Sequence, residues 1–221
     1  MELRAGTVLY QPGQFLRHAY FPLDCIIGLS QLAEDGRTEE MVAVGNEGFV
    51  GVALFMGGRA AAGTAVAQTA GHCLRLRWHD LRQELQRSVA LERLLLRYAQ
   101  ALYFQAAQVA TCRRTHGLRQ RTCSCLLACA DRLGGASTVS PEVLATLLQA
   151  GAEETAAAVS ELQAAGHVGH RSGRIRIVDR AGLEAGACEC YELVRHEVER
   201  LVPGTAPIAR GRASAPARRP A

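Results

Sequence analysis

The sequence predicts an α+β chain: an N-terminal β-roll of the jelly-roll type, one long helix, then a compact helical module that carries a hairpin. Three observations predict it. Residues 1 to about 80 divide into short alternating segments separated by turn signals. No Gly or Pro occurs between Gly71 and Gly117, so nothing breaks a helix there. Beyond Gly117, two short helical segments flank Ala150-Gly151, and two alternating segments flank Ser172-Gly173.

In the first part, LYQPGQ holds a Pro-Gly turn, and EDGRTEE holds an Asp-Gly hairpin signal between CIIGLSQLA and EMVAVG. VGNEGFVGVALFMGG carries Gly at turn positions, and TAVAQTAGHCLRLRW alternates like a half-buried strand. Strands this short and this regularly spaced suit a β-roll or jelly roll. A short helix of about His79 to Gln86 leads on to the long one.

Ser88 to His116 carries an apolar stripe at Leu91, Leu95, Tyr98, Leu102 and Val109, interrupted by Gln105. Its steps of four and three are those of a coiled-coil seam. A second stripe, Leu96, Ala99, Tyr103, Ala106 and Ala110, lies beside it. A helix apolar on two faces needs two surfaces to pack on. One stripe is expected on the chain's own N-terminal part and the other on the same helix of a second chain. Leu91, Leu95, Tyr98, Leu102 and Val109 are taken as the dimer seam. A central helix of a monomeric bundle is the competing arrangement.

Helix LRQRTCSCLLACADRL follows Gly117 and stops at Gly134-Gly135. Ser140-Pro141 starts the next, with Ser as N-cap and Pro at the first helical position. PEVLATLLQ and AEETAAAVSELQAAG then form a helix-turn-helix pattern. HVGHRSGRIRIVDR reads as a hairpin or wing, Asp179 caps a short helix, and CECYELVRHEVERLV is a last amphipathic helix. The tail from Pro203 has four Pro, four Arg and no acidic residue, and is expected to be disordered.

Composition sets limits. The chain has 221 residues, 48% hydrophobic and 21% charged, with a net charge of +4. That is a globular composition, and the charge alone says little about nucleic acid. All 25 basic residues are Arg. No window reaches 18 apolar residues and no export signal is visible, so a cytoplasmic location without membrane contact is expected. The 8 Cys are then expected as reduced thiols.

The order of strands, long helix and winged helix-turn-helix resembles the Crp/Fnr superfamily of bacterial transcription regulators, relatives of the cyclic-AMP receptor protein. The resemblance rests on HAYFPLDCIIGLS, EDGRTEEMVAVGNEGFVGV, LLRYAQAL, the LATLLQAG turn and GRIRIVDRAGLE, and covers the chain to about residue 202. It implies a cyclic-nucleotide-binding-like roll over residues 1–87 as sensor, a dimerisation helix over 88–116, a winged helix-turn-helix DNA-binding domain over 117–202, and a tail over 203–221. It further implies a homodimer that binds double-stranded DNA and regulates transcription, with RNA polymerase considered as a further partner. The alternative is a dimeric sensor or interaction module that no longer reads DNA.

The resemblance also directs attention to sites. Cyclic-nucleotide binders of the superfamily hold the ribose with a Gly-Glu pair and the phosphate with an Arg, a carboxylate accepting from the hydroxyl and a guanidinium pairing with the phosphate. Here Gly51 matches and Arg59 could stand for the Arg, but Val52 replaces the Glu. The recognition helix would open with Ala152, Glu153, Glu154, Thr155, Ala156 and Ala157, so both guanine-reading arginines of the family are alanines. Glu153 and Thr155 are left as base readers, Glu154 adds charge opposing phosphate, and Arg171, Arg174 and Arg176 of the wing are left as phosphate contacts.

No iron–sulfur spacing and no zinc-ribbon knuckles occur among Cys123, Cys125, Cys129, Cys188 and Cys190. They read as small apolar residues, with a redox pair open for Cys188 and Cys190. No His is selected for haem. The sequence therefore argues against a cyclic nucleotide, an iron–sulfur cluster and haem, assigns no metal ligand and leaves the cofactor unknown. It contains no nucleophile elbow, Walker loop or GxGxxG, so no enzymatic activity is expected.

Overall fold

A computed structural model describes residues 1–32, 38–134 and 138–204. The Asp35-Gly36 turn, Gly135 and the tail from residue 205 lie outside these. The chain is α+β, as the sequence predicts. Its N-terminal part comprises β1 (Glu2–Leu3), β2 (Val8–Tyr10), β3 (His18–Pro22), β4 (Ile27–Leu32), β5 (Thr38–Val44), β6 (Thr64–Ala67) and β7 (Gly71–Arg77). They pair antiparallel in two sheets, β1-β7-β3 and β2-β6-β4-β5. Residues of both sheets share one core, with Leu3, Ala19, Ile27, Val44, Ala65 and Cys73 all buried. The Gly-rich segment between β5 and β6 holds a 3₁₀ turn, Val52–Leu54.

Helix α1 (Trp78–Arg87) leads into α2 (Val89–Thr115). Ser88 separates them and caps α2, its Oγ accepting from Leu91 N at 3.2 Å. This satisfies one of the amides that the first helical turn leaves without an internal partner. Helix α2 has 27 residues, about 40 Å of helix.

The two stripes of α2 do not divide as the seam assignment expects. Leu95 and Tyr98 are buried in the chain's own N-terminal core, and Leu91 and Leu102 pack against it. Tyr98 enters the roll, its ring 5.1 Å from that of Phe49. Gly48 leaves room for it, since a Cβ there would overlap the tyrosine ring. Gln105, which breaks the stripe, is buried and donates to Ala43 O at 2.9 Å, so it answers a strand carbonyl. The face left open is the second stripe: Leu96 is exposed and Tyr103 is 78% exposed. Leu95 and Tyr98 therefore cannot serve as seam residues without leaving this core.

Helices α3 (Leu118–Arg132), α4 (Pro141–Leu148) and α5 (Ala152–Ala164) follow, then hairpin β8 (Val168–Arg171) and β9 (Arg174–Ile177), α6 (Arg180–Gly186) and α7 (Glu189–Leu201). Local chemistry sets the starts. Ser140 Oγ accepts from Val143 N with Pro141 at the first helical position, and Asp179 Oδ1 accepts from Gly182 N at 3.0 Å. A second core joins Leu126, Leu127, Leu144, Leu162, Ile175 and Leu183. Helix α7 returns along α2 and delivers Leu201 and Val202 to the N-terminal core. Among the described residues no helix is long and apolar enough to cross a membrane.

Candidate nucleic-acid interface

The turn between α4 and α5 is built on Gln149, whose φ of 47° is left-handed, a region costly for a residue with a Cβ. Its Nε2 donates to Glu40 O at 2.7 Å, fastening the turn to β5. Arg113 donates to the same carbonyl at 2.6 Å. The turn of the helix-turn-helix and the long helix α2 thus meet on one strand carbonyl of the roll.

Helix α5 divides its residues by face. Thr155, Ala158, Val159 and Leu162 point inward and are buried, an i, i+3, i+4, i+7 pattern. Ala152, Glu153, Glu154, Ala156 and Ala157 are exposed. This corrects the expectation for Thr155. Its side chain belongs to the inner face and is 0% exposed, and its Oγ1 is buried without a hydrogen-bond partner. A base edge cannot reach it. Glu154 is exposed but engaged, its Oε2 accepting from Gly151 N at 3.3 Å and closing the first turn. Glu153 remains as the outward carboxylate at the helix start.

The wing turns through Ser172 and Gly173, both with positive φ. Arg171, Arg174 and Arg176 are all exposed. Arg174 is partly spent: its Nε donates to Thr138 Oγ1 at 2.8 Å and its Nη2 to Thr138 O at 2.9 Å, holding the segment before α4 against the wing. Among the described residues, Arg171 and Arg176 show no such tether. His170 bonds Gln163 through Nδ1 at 2.9 Å.

In the roll, Gly51 is buried with φ +115°, and a Cβ would press on His18 O at 3.3 Å, so glycine is required there by backbone shape. Val52 opens the 3₁₀ turn, and Arg59 lies eight residues on from Gly51, exposed. Phe21, Phe49, Phe55 and Tyr98 fill the interior nearby, with ring centroids 5.1 to 5.9 Å apart.

A separate cleft of about 210 Å³ lies between β5, α2, α3 and α7, lined among others by Glu40, Val109, Cys112, Arg121, Cys190 and Tyr191. At its edge the sequence reading missed a grouping. Cys112, His116, Cys188 and Cys190 place their ligand atoms within 4.8 Å of one another. Cys188 Sγ meets Cys112 Sγ at 3.5 Å, so its sulfur partner includes Cys112 and not Cys190 alone. The hydrogen bond between them holds the Cys188 thiol well below its ordinary value and raises that of Cys112. The sequence assigned no metal ligand, and this grouping is one whose atoms could hold an ion. The signal available was Cys112-x₃-His116 on one helical face, with Cys188-x-Cys190 at a helix start. By contrast, Cys123, Cys125 and Cys129 are spread over α3, with Cys123 and Cys129 buried in the second core.

Residues 1–88 match the family model of the cyclic nucleotide-binding domain. No curated protein sequence matches the chain. Among solved structures, a CRP-family transcriptional regulator from Thermus thermophilus is 23% identical with a TM-score of 0.67, covering 85% of this chain and 96% of that one. FixK2 from Bradyrhizobium japonicum is 17% identical with a TM-score of 0.72 over the same shares. The c-di-GMP responsive global regulator CLP from Xanthomonas campestris is 18% identical with a TM-score of 0.59, covering 80% of this chain and 92% of that one. At these identities the likeness speaks for the fold. Residues 1–88 thus match the cyclic nucleotide-binding domain family, and the chain as a whole carries the fold of the CRP/FNR-family transcription regulators.

Proposed function

We propose that the chain is a DNA-binding transcription regulator that acts as a homodimer, with residues 1–87 as sensor, 88–116 as dimerisation helix and 117–202 as the DNA-binding domain. The observation that carries the reading is the exposed outer face of α5, with Arg171 and Arg176 beside it on the wing. A helix N-terminus with free amides and two guanidinium groups offers phosphate contacts. What it lacks is the arginine pair that would read guanine, since Ala152 and Ala157 occupy those positions. Each such bidentate contact is worth roughly 1–3 kcal/mol of discrimination, so binding should be weakly specific and led by phosphate.

The dimer would form through Leu96, Ala99, Tyr103, Ala106 and Ala110. This face is open, and its small residues let two helices approach closely. In the roll, Val52 cannot accept a ribose hydroxyl, so cyclic AMP and cyclic GMP are not the expected signals. The alanines at the start of α5 favour a second reading, a dimeric sensor that no longer reads DNA. Selection from random duplex DNA separates the two. A regulator enriches paired half-sites about one helical turn apart, with a shallow motif. No enrichment over a protein-free control would leave the sensor reading.

A further inference from the structure

Four groups able to bind a metal meet where the long helix ends. Cys112 and His116 stand four residues apart on one face of α2, His116 being its C-cap. Cys188 is the N-cap of α7, and Cys190 is its second residue. Their ligand atoms lie within 4.8 Å of one another. Cys112 Sγ to Cys188 Sγ is 3.5 Å, and His116 Nδ1 to Cys190 Sγ is 3.5 Å. A tetrahedral ion with bonds of about 2.3 Å to sulfur sets its ligands roughly 3.8 Å apart. The group therefore has nearly the dimensions of a site for one ion. A two-iron cluster divides its four ligands between two metals and would spread them further.

The surroundings suit the same chemistry. His116 Nε2 lies 3.2 Å from Glu189 Oε1, an arrangement that favours the ring proton on Nε2; Nδ1 then turns its lone pair to Cys190 Sγ at 3.5 Å, with Thr115 Oγ1 3.1 Å away. A carboxylate behind a ligating histidine is the usual means of fixing that tautomer. Ser124 Oγ lies 3.1 Å from Cys188 Sγ, and Gln108 Nε2 donates to Cys190 Sγ at 3.1 Å. Such donors stabilise thiolate, as does the positive end of α7. Cys112 and Cys190 also line the cleft, which gives an ion a route in.

We propose that Cys112, His116, Cys188 and Cys190 form a tetrahedral Cys₃His site for a single zinc-type divalent cation. Three sulfurs and one imidazole select a borderline-soft ion over magnesium or calcium. In the bound state all three cysteines are thiolates, any thiol proton still held passes to solvent, and the site carries a net charge of −1. The ion would tie the start of α7 to the end of α2. Between α2 and α3 the backbone is extended at His116 and Gly117, so the tie spans the joint where the chain turns into the DNA-binding part. The site stands whether or not the chain binds DNA.

The test uses the full chain, reduced and stripped of metal by a chelator, then titrated with Co²⁺. One equivalent per chain should give the visible bands of tetrahedral cobalt with thiolate charge transfer in the near ultraviolet, and Zn²⁺ should bleach them. Cys112→Ser should abolish the bands, with folding checked by circular dichroism. His116→Gln serves if that variant does not fold. Glu189→Gln should weaken binding roughly tenfold or more by freeing the imidazole. Cys125→Ser, outside the group, should change nothing. A reduced wild type without tetrahedral bands overturns the proposal. So does cobalt binding that survives both Cys112→Ser and His116→Gln, or iron with acid-labile sulfide in anaerobically purified protein. A Cys112–Cys188 disulfide re-reduced without gain of metal binding would also overturn it, in favour of a redox pair.

Discussion

Arg132 Nε lies 2.7 Å from Glu47 Oε1, and the two side chains are only 14% and 12% exposed. Arg132 ends α3 and Glu47 lies just after β5, so the pair joins the C-terminal helical part to the roll. Glu47 Oε2 also accepts from Gly45 N at 3.1 Å, and a Cβ on Gly45 would overlap the Arg132 stem. Arg132→Ala should destabilise the chain by about 3–5 kcal/mol, because it leaves a buried carboxylate unpaired. The double variant Arg132→Met, Glu47→Leu should recover most of that loss. Urea unfolding checks both, and a loss under about 1 kcal/mol for the single variant would show that the pair is solvated.

Glu40 titrates in an unusual range. Its side chain accepts from Gln68 Nε2 at 2.7 Å, and the residue is 5% exposed. Burial pushes its carboxyl up to about 7 from an ordinary 4.5, against the opposing pull of Arg113, Arg132 and the Gln68 bond. The folded chain therefore holds a proton between about 4.5 and 7 that the unfolded chain has lost. Stability from this group is complete below pH 4.5 and is lost as pH rises through 7. Glu40→Gln should flatten that slope and raise stability at pH 8 by at most roughly 3 kcal/mol. Denaturation at pH 5 and pH 8 measures it; an unchanged slope would refute the assignment.

Thr155→Val should stabilise the chain by about 1 kcal/mol, since it removes a buried hydroxyl that has no partner. DNA affinity should not change. A shift in base preference in this variant would return Thr155 to the reading face.

Thr155 also shows how far the sequence carried. Its spacing to Ala158, Val159 and Leu162 is an inward stripe, and counting the stripe would have placed it. Ser140-Pro141 and Asp179 were legible because capping is local chemistry. Which stripe of α2 faces the roll was not, because both are apolar and the choice depends on Phe49 and Ala43, far away in sequence. The cysteine and histidine group was hidden for the same reason. Its two halves lie on helices that meet only when α7 folds back along α2.

Leu96→Glu with Tyr103→Glu should convert a dimer to monomer in sedimentation, by placing two charges on the open face of α2. Leu95→Ala should instead cost about 2–5 kcal/mol of folding stability while leaving association intact. If the charged double variant remains a dimer, another surface joins the chains.

Binding of duplex DNA followed across a salt series tests the proposed regulator function. Wild-type protein should bind at low salt and weaken steeply as salt rises. Arg171→Ala and Arg176→Ala should each reduce the slope of log affinity against log salt by about one, for all sequences alike. Arg174→Ala should also loosen the segment at Thr138. Glu153→Ala should change which sequences bind best and leave the slope nearly as it was. Failure of the wild-type protein to bind any duplex at low salt would rule out a DNA-binding regulator.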